Sequence, residues 1–129
     1  MKVSPTIVYV GDTEQHKALQ SAIEAHGWYL LQATEALEAL AFYVVYYPDL
    51  FILAHEIDSA IAEDVYFHLN TVHTPPLVIL TDEPDKPTWR DASTTTTRLL
   101  STTTPIEVVM AEVSALLRQS NHSYPHSRY

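Results

Sequence analysis

The sequence predicts a single α/β domain built on a doubly wound, five-stranded parallel sheet. Three observations predict it. The stretches Leu50-Phe51-Ile52-Leu53 and Leu77-Val78-Ile79-Leu80 are unbroken apolar runs without alternation, the pattern of strands buried on both faces. Strand-like runs alternate five times with stretches of helical periodicity, which favours parallel strands joined by right-handed crossovers. At 129 residues, 47% of them apolar, the chain is long enough to enclose one core and too apolar to be disordered.

Taken in order, residues 6–10 (TIVYV) are β-branched and aromatic, a strand by composition. Asp12 with Gln15 three residues on fits a capping box, opening a helix to about His26 with Ala18, Leu19, Ala22 and Ile23 on one face. Gly27 is placed to end it. Residues 28–32 (WYLLQ) form the second strand. Thr34 is read as the cap of a second helix whose buried stripe is Leu37, Leu40, Ala41 and Val44. Its last turns, FYVVYY, are apolar almost all round, as in a deeply buried helix or a contact surface. After Pro48-Asp49 comes the third strand, 50–53, and then a helix capped by Asp58 or Ser59 with Ile61, Val65 and Leu69 inward. Pro75-Pro76 introduces the fourth strand, 77–80.

From Glu83 to Thr97 the helical pattern fails. Pro84 and Pro87 break it, and four consecutive threonines are poor helix formers. The fourth helix is therefore expected to be degenerate, a loop with a short turn around Trp89. Arg98-Leu99-Leu100 is a fifth strand. Thr104, Pro105 and Glu107 mark a strong helix start, and Ile106, Val109, Met110, Val113, Leu116 and Leu117 make its apolar stripe to about Arg118. Residues 1–119 are read as the domain and 120–129 as a polar, disordered tail. The best strand order is the flavodoxin-like 2-1-3-4-5. Its switch point lies between the first and third strands, which puts Asp12 beside Ala54 and His55.

A net charge of −9 argues against nucleic acid or an anionic membrane surface as partner. The absence of cysteine excludes disulfides and Cys-based metal sites. No signal peptide or membrane-length apolar run is present, so a cytoplasmic location is expected. With glycine only at 11 and 27, no Gly-rich phosphate loop can be built.

PDLFILA, PPLVILT, GWYLLQAT with EALEAL, and TPIEVVMAEVSALLR occur in an order and spacing that resemble the receiver domains of bacterial response regulators, the CheY-like family. The resemblance implies a phosphorylation site made of an acidic pair that holds Mg²⁺, an acceptor Asp, a Ser or Thr, and a Lys. The matching positions here are Gly11 and Asp12, then Ala54, Thr81 and Thr104. One carboxylate and the threonine are kept. The acceptor, the second acid and the Lys are not, and the family's aromatic switch residue falls on Leu99 or Ser101. The family's cis bond before proline would fall at Thr104-Pro105. This pattern resembles a pseudo-receiver: a two-component signalling module acting through protein contacts, without catalysis, cofactor or aspartyl phosphorylation. The oligomeric state is left open. The alternative is a flavodoxin-like domain that binds a small ligand or metal at the sheet edge through Asp12, His55, Glu56 and Asp82. Tyr43, Tyr46 and Tyr47 read equally as a partner surface or as boundary packing.

Overall fold

The computed structural model describes residues 4–11, 17–55, 60–69 and 74–123. Within them lie five strands, β1 (Thr6–Val10), β2 (Tyr29–Ala33), β3 (Leu50–Ala54), β4 (Leu77–Leu80) and β5 (Thr97–Leu100). Four helices accompany them: α1 (Lys17–Ala25), α2 (Ala36–Tyr46), α3 (Ile61–Leu69) and α4 (Ile106–Ser123). All strand pairs are parallel and the order is β2-β1-β3-β4-β5, as the sequence predicts.

The unbroken apolar runs are explained by two cores, one on each side of the sheet. Val8, Val10, Phe51, Leu53, Leu77 and Ile79 point to the layer of α2 and α3. Ile7, Tyr9, Leu50, Ile52 and Val78 point to the layer of α1 and α4. Successive side chains of a strand alternate between faces, so a central strand must be apolar at every position. α1 ends as expected at Gly27, which has φ 77°. There the Gly27 N–H donates to the Glu24 carbonyl at 2.9 Å and the Trp28 N–H to the Ile23 carbonyl at 3.3 Å, a Schellman closure. In α4, Val109, Met110, Val113, Leu116 and Leu117 are buried, again as predicted.

No helix forms between β4 and β5. The chain descends instead through three successive turns, the N–H of Lys86, Trp89 and Ala92 donating to the carbonyls of Glu83, Lys86 and Trp89. Trp89 and Ala92 are buried and complete the core beside α3. One indole thus fills the volume that an apolar helix face would otherwise cover. Its N–H has no hydrogen-bond partner among the described residues. Arg98 pins the threonine loop by donating to the carbonyls of Thr94 and Thr95 and to the Glu112 carboxylate on α4.

Several sequence expectations are corrected. The inward face of α2 is Ala36, Ala39, Leu40 and Tyr43, while Leu37, Ala41 and Val44 are exposed. The helix is apolar on nearly every side, so its periodicity does not single out a face. Its N-cap is Glu35; Thr34 instead donates its backbone N–H to the Glu38 carboxylate at 3.0 Å. α4 runs to Ser123, past the predicted end at Arg118, because the polar residues that follow contain no helix breaker before Pro125. The Thr104-Pro105 bond is trans, the ordinary preference of a prolyl bond. The caps expected at Asp12, Asp58 and Ser59 and the residues from 124 on lie outside the described residues.

Replacing Trp89 by Ala should cost about 3–5 kcal/mol, since a buried aromatic is lost and its volume left empty. Urea unfolding followed by circular dichroism checks this.

Candidate functional site

Parallel strands deliver their carboxyl ends to one edge, and here that edge collects Gly11 after β1, Ala54 at the end of β3, His55 beyond it, and Thr81 and Asp82 after β4. The backbone continues the sheet into this edge. His55 N–H donates to the Leu80 carbonyl at 2.8 Å and Thr81 N–H to the Leu100 carbonyl at 2.9 Å. Both side chains are thereby held in place and buried.

Gly11 and Ala54 fit each other. Gly11 has φ 156°, which a side chain rarely adopts. A Cβ on residue 11 would stand 2.8 Å from the Ala54 Cβ and 3.0 Å from the Tyr9 ring. The Gly11 carbonyl accepts from the Gln32 amide, and its N–H donates to Ala33, so the backbone has little room to move away. The two positions that contribute no carboxylate are therefore packed against one another.

His55 is the hub of the edge. Its Nε2 lies 2.9 Å from the Glu63 carboxylate on α3 and its Nδ1 2.8 Å from the Thr81 hydroxyl. A carboxylate only accepts, so Nε2 donates to it. In the neutral ring Nδ1 then accepts the Thr81 O–H, and the Thr81 oxygen in turn accepts the Glu83 N–H at 3.0 Å. Lys86 donates to the same Glu63 oxygen at 2.6 Å, and Thr88 donates to the other oxygen at 3.1 Å. The His55 ring also meets Trp89 edge to face at 5.3 Å, and Trp89 meets Tyr66 likewise. The Lys86 ammonium, with help from Thr88 and His55, holds the Glu63 carboxyl below its ordinary value against the opposing effect of burial. Glu63 in return raises Lys86. Desolvation by burial pushes the Tyr66 phenol up, with the charge of Asp91 adding to it.

Of the positions read from the sequence, Gly11, Ala54, His55 and Thr81 are brought together. Asp82 is exposed and accepts from the Thr102 hydroxyl at 2.6 Å. Thr104 sits in the connection from β5 to α4, where its N–H donates to the Ser101 carbonyl. Asp12 and Glu56 lie outside the described residues. Among those described, no three His, Asp or Glu side chains are grouped to hold a metal ion. Gly11 and Ala54 also offer no donor for one. Sequence reading missed Glu63, Lys86 and Thr88; Lys86 and Thr88 lie far from His55 along the chain, and only the acidic first turn of α3 marked Glu63, eight residues on, as placed near this edge.

No protein-family model matches the chain, and no curated protein matches it in sequence. Solved structures do. The signal receiver domain of a histidine kinase from Syntrophus aciditrophicus is similar with a TM-score of 0.76 at 19% identity, over 90% of this chain and 92% of that one. The BeF3-activated receiver domain of RstA from Klebsiella pneumoniae gives 0.73 at 20%, over 88% and 99%. The pseudo-receiver domain of CikA gives 0.67 at 14%, over 88% and 97%.

The fold is that of a receiver domain. At the receiver edge of this chain, the threonine after β4 is present but its hydroxyl is engaged by His55 and Glu83. A lysine is present too, arriving from the β4–β5 connection and paired with Glu63 rather than following β5.

Glu63→Gln removes a charge that Lys86 and His55 both face, and should lower stability at neutral pH by about 1–3 kcal/mol. The carboxyl is held below its ordinary value in the folded chain. Its contribution is therefore complete above the unfolded value and is lost as pH falls through the folded one. The gap between wild type and variant should narrow below about pH 4, which urea unfolding at pH 7 and pH 3.5 will measure.

Proposed function

We propose that this chain is a pseudo-receiver, a signalling module of the two-component (phosphorelay-type) class that acts through protein contacts without aspartyl phosphorylation and without an activity of its own. The observation that carries the reading is Ala54 at the end of β3. A phosphoryl acceptor there must be a nucleophilic carboxylate, and Ala54 offers a methyl group. The charge of a transferring phosphoryl group also needs cationic stabilisation. In receivers Mg²⁺ supplies it, held by an acidic pair, and half of that pair is Gly11 here. The Lys86 ammonium is paired with Glu63, and the Thr81 hydroxyl is paired with His55.

A small ligand at the same edge is the runner-up. In its favour is a cleft lined by Thr81, Asp82, Pro84, Leu99, Leu100 and Ser101. Against it, both ring nitrogens of His55 are occupied within the protein. A ligand present at 100 times its Kd adds about 2.7 kcal/mol of stability. No shift of that size is expected in a thermal screen of divalent metals and nucleotides.

Incubation with acetyl phosphate and Mg²⁺, followed by intact-mass measurement, should show no added phosphoryl group on wild type. Ala54→Asp should also stay essentially unmodified, because the cation site is not restored. Adding Gly11→Asp should not rescue it, since that side chain meets residue 54 and Tyr9. Stoichiometric phosphorylation of a carboxylate at this edge in the wild type would overturn the reading.

A further inference from the structure

Eight large apolar side chains are exposed among the described residues, and five of them, Leu37, Val44, Val45, Tyr46 and Tyr47, belong to α2 and its C-cap. That concentration separates this face from the scattered apolar residues any surface carries. The opposite face of α2 is already seated on the sheet through Ala36, Ala39, Leu40 and Tyr43. Outward, Leu37, exposed Ala41 and Val44 recur at spacings of four and three, the repeat of a helix–helix seam. Without Tyr46, which turns to the other side of the helix against Phe42, Leu37, Val44, Val45 and Tyr47 open on the order of 500 Å², as large as the biggest patch on a typical monomer and below the roughly 800 Å² per partner of a standard interface.

Tyr47 adds an independent observation. It ends α2 in the left-handed region at φ 49° and ψ 58°, where glycine or asparagine is usual, and it is 81% exposed. The free chain thus holds a strained backbone at a residue whose ring touches little.

We propose that the outer face of α2 is a homodimer interface, in which two copies of the chain pack their α2 helices antiparallel about a two-fold axis at Ala41. In that register Leu37 falls opposite Val45 of the second copy and Ala41 opposite Ala41, while Val44 falls opposite Glu38, whose carboxylate turns back to accept the Thr34 N–H. The small side chain at the crossing lets the backbones approach. Glu35 makes no side-chain hydrogen bond to cap its own helix. α2 carries Glu38 and no basic residue. Parallel pairing would set the two Glu38 carboxylates side by side, whereas antiparallel pairing separates them by roughly 9 Å along the axis, the rise of six residues. This inference goes beyond the proposed function by naming a contact face, and it holds whether or not the sheet edge accepts phosphate.

Sedimentation equilibrium of the full chain, untreated with any phosphodonor, tests it between roughly 1 and 500 μM, a span of nearly three decades that brackets a Kd of about 20 μM. A monomer–dimer equilibrium within that range is expected. Val44→Glu and Val45→Glu should each weaken it at least about tenfold, with circular dichroism unchanged because both side chains are on the surface. Tyr47→Gly relieves the left-handed backbone, so it should unfold at an equal or higher temperature and yet dimerise more weakly. Val108→Glu, on the exposed side of α4, should leave the dimer unaltered. A monomer at every concentration overturns the proposal and leaves the face to a different chain. So does a dimer that Val44→Glu and Tyr47→Gly fail to weaken.

Discussion

Burial of β3 on both faces is the constraint from which the remaining structure follows. Leu50 and Ile52 turn to the layer of α1 and α4, and Phe51 and Leu53 to the layer of α2 and α3. Neither layer can be left out without exposing a strand that has no polar side. The connection through α1 therefore crosses the face that α4 also covers, those through α2, α3 and the β4–β5 loop cross the other, and right-handed crossovers then fix the strand order. The same constraint decides what happens where a helix is missing. Between β4 and β5 the chain has no helical segment, but Ile79 and Leu77 still need cover, and Trp89 supplies it with a single ring.

That solution reaches into the edge where β3 ends. The turns that carry Trp89 also carry Lys86 and Thr88, and these reach Glu63 on α3, which in turn holds His55. Cover for the core and organisation of the edge are thus one structure. A buried imidazole is costly when a ring nitrogen is left without a partner, and here both are engaged. The edge of this receiver fold is rebuilt around a satisfied polar network. Such networks rigidify their surroundings. On the proposed reading, rigidity suits a module that presents a constant surface and does not switch with phosphorylation.

The strands were legible because their signal is local and redundant: a run such as Leu77 to Leu80 is apolar at every position and bounded by Pro76 and Thr81. The absent helix was legible for the same kind of reason, two prolines and a threonine run. The inward face of α2 was not, since Leu37, Ala41 and Val44 form as good a stripe as Ala36, Ala39, Leu40 and Tyr43. Choosing between them requires knowing which one the sheet covers. At the site, the resemblance to receiver domains pointed to Gly11 and Ala54 through their motif positions. Their mutual fit could not be read, because it depends on a φ of 156° and a 2.8 Å approach between residues 43 apart in sequence. Nor could the partners of His55, which come from a helix and a loop and not from neighbouring positions.

The steric match of Gly11 and Ala54 bears on how the edge could change. Were the two positions independent, each carboxylate of a receiver site could be restored in turn, and partial function recovered by single steps. Because a Cβ at 11 meets the Cβ at 54 and the Tyr9 ring, a side chain at the first position requires the backbone after β1 to move. That backbone is held from both sides, by the Gln32 amide on the Gly11 carbonyl and by Ala33 on its N–H. On the proposed reading, a phosphate-accepting edge would therefore demand movement of the β1 turn together with release of Thr81 from His55. Each of those changes breaks hydrogen bonds at buried or half-buried positions before any new one forms. The packing of Gly11 against Ala54 and the engagement of Thr81 by His55 thus stabilise the edge as a fixed surface.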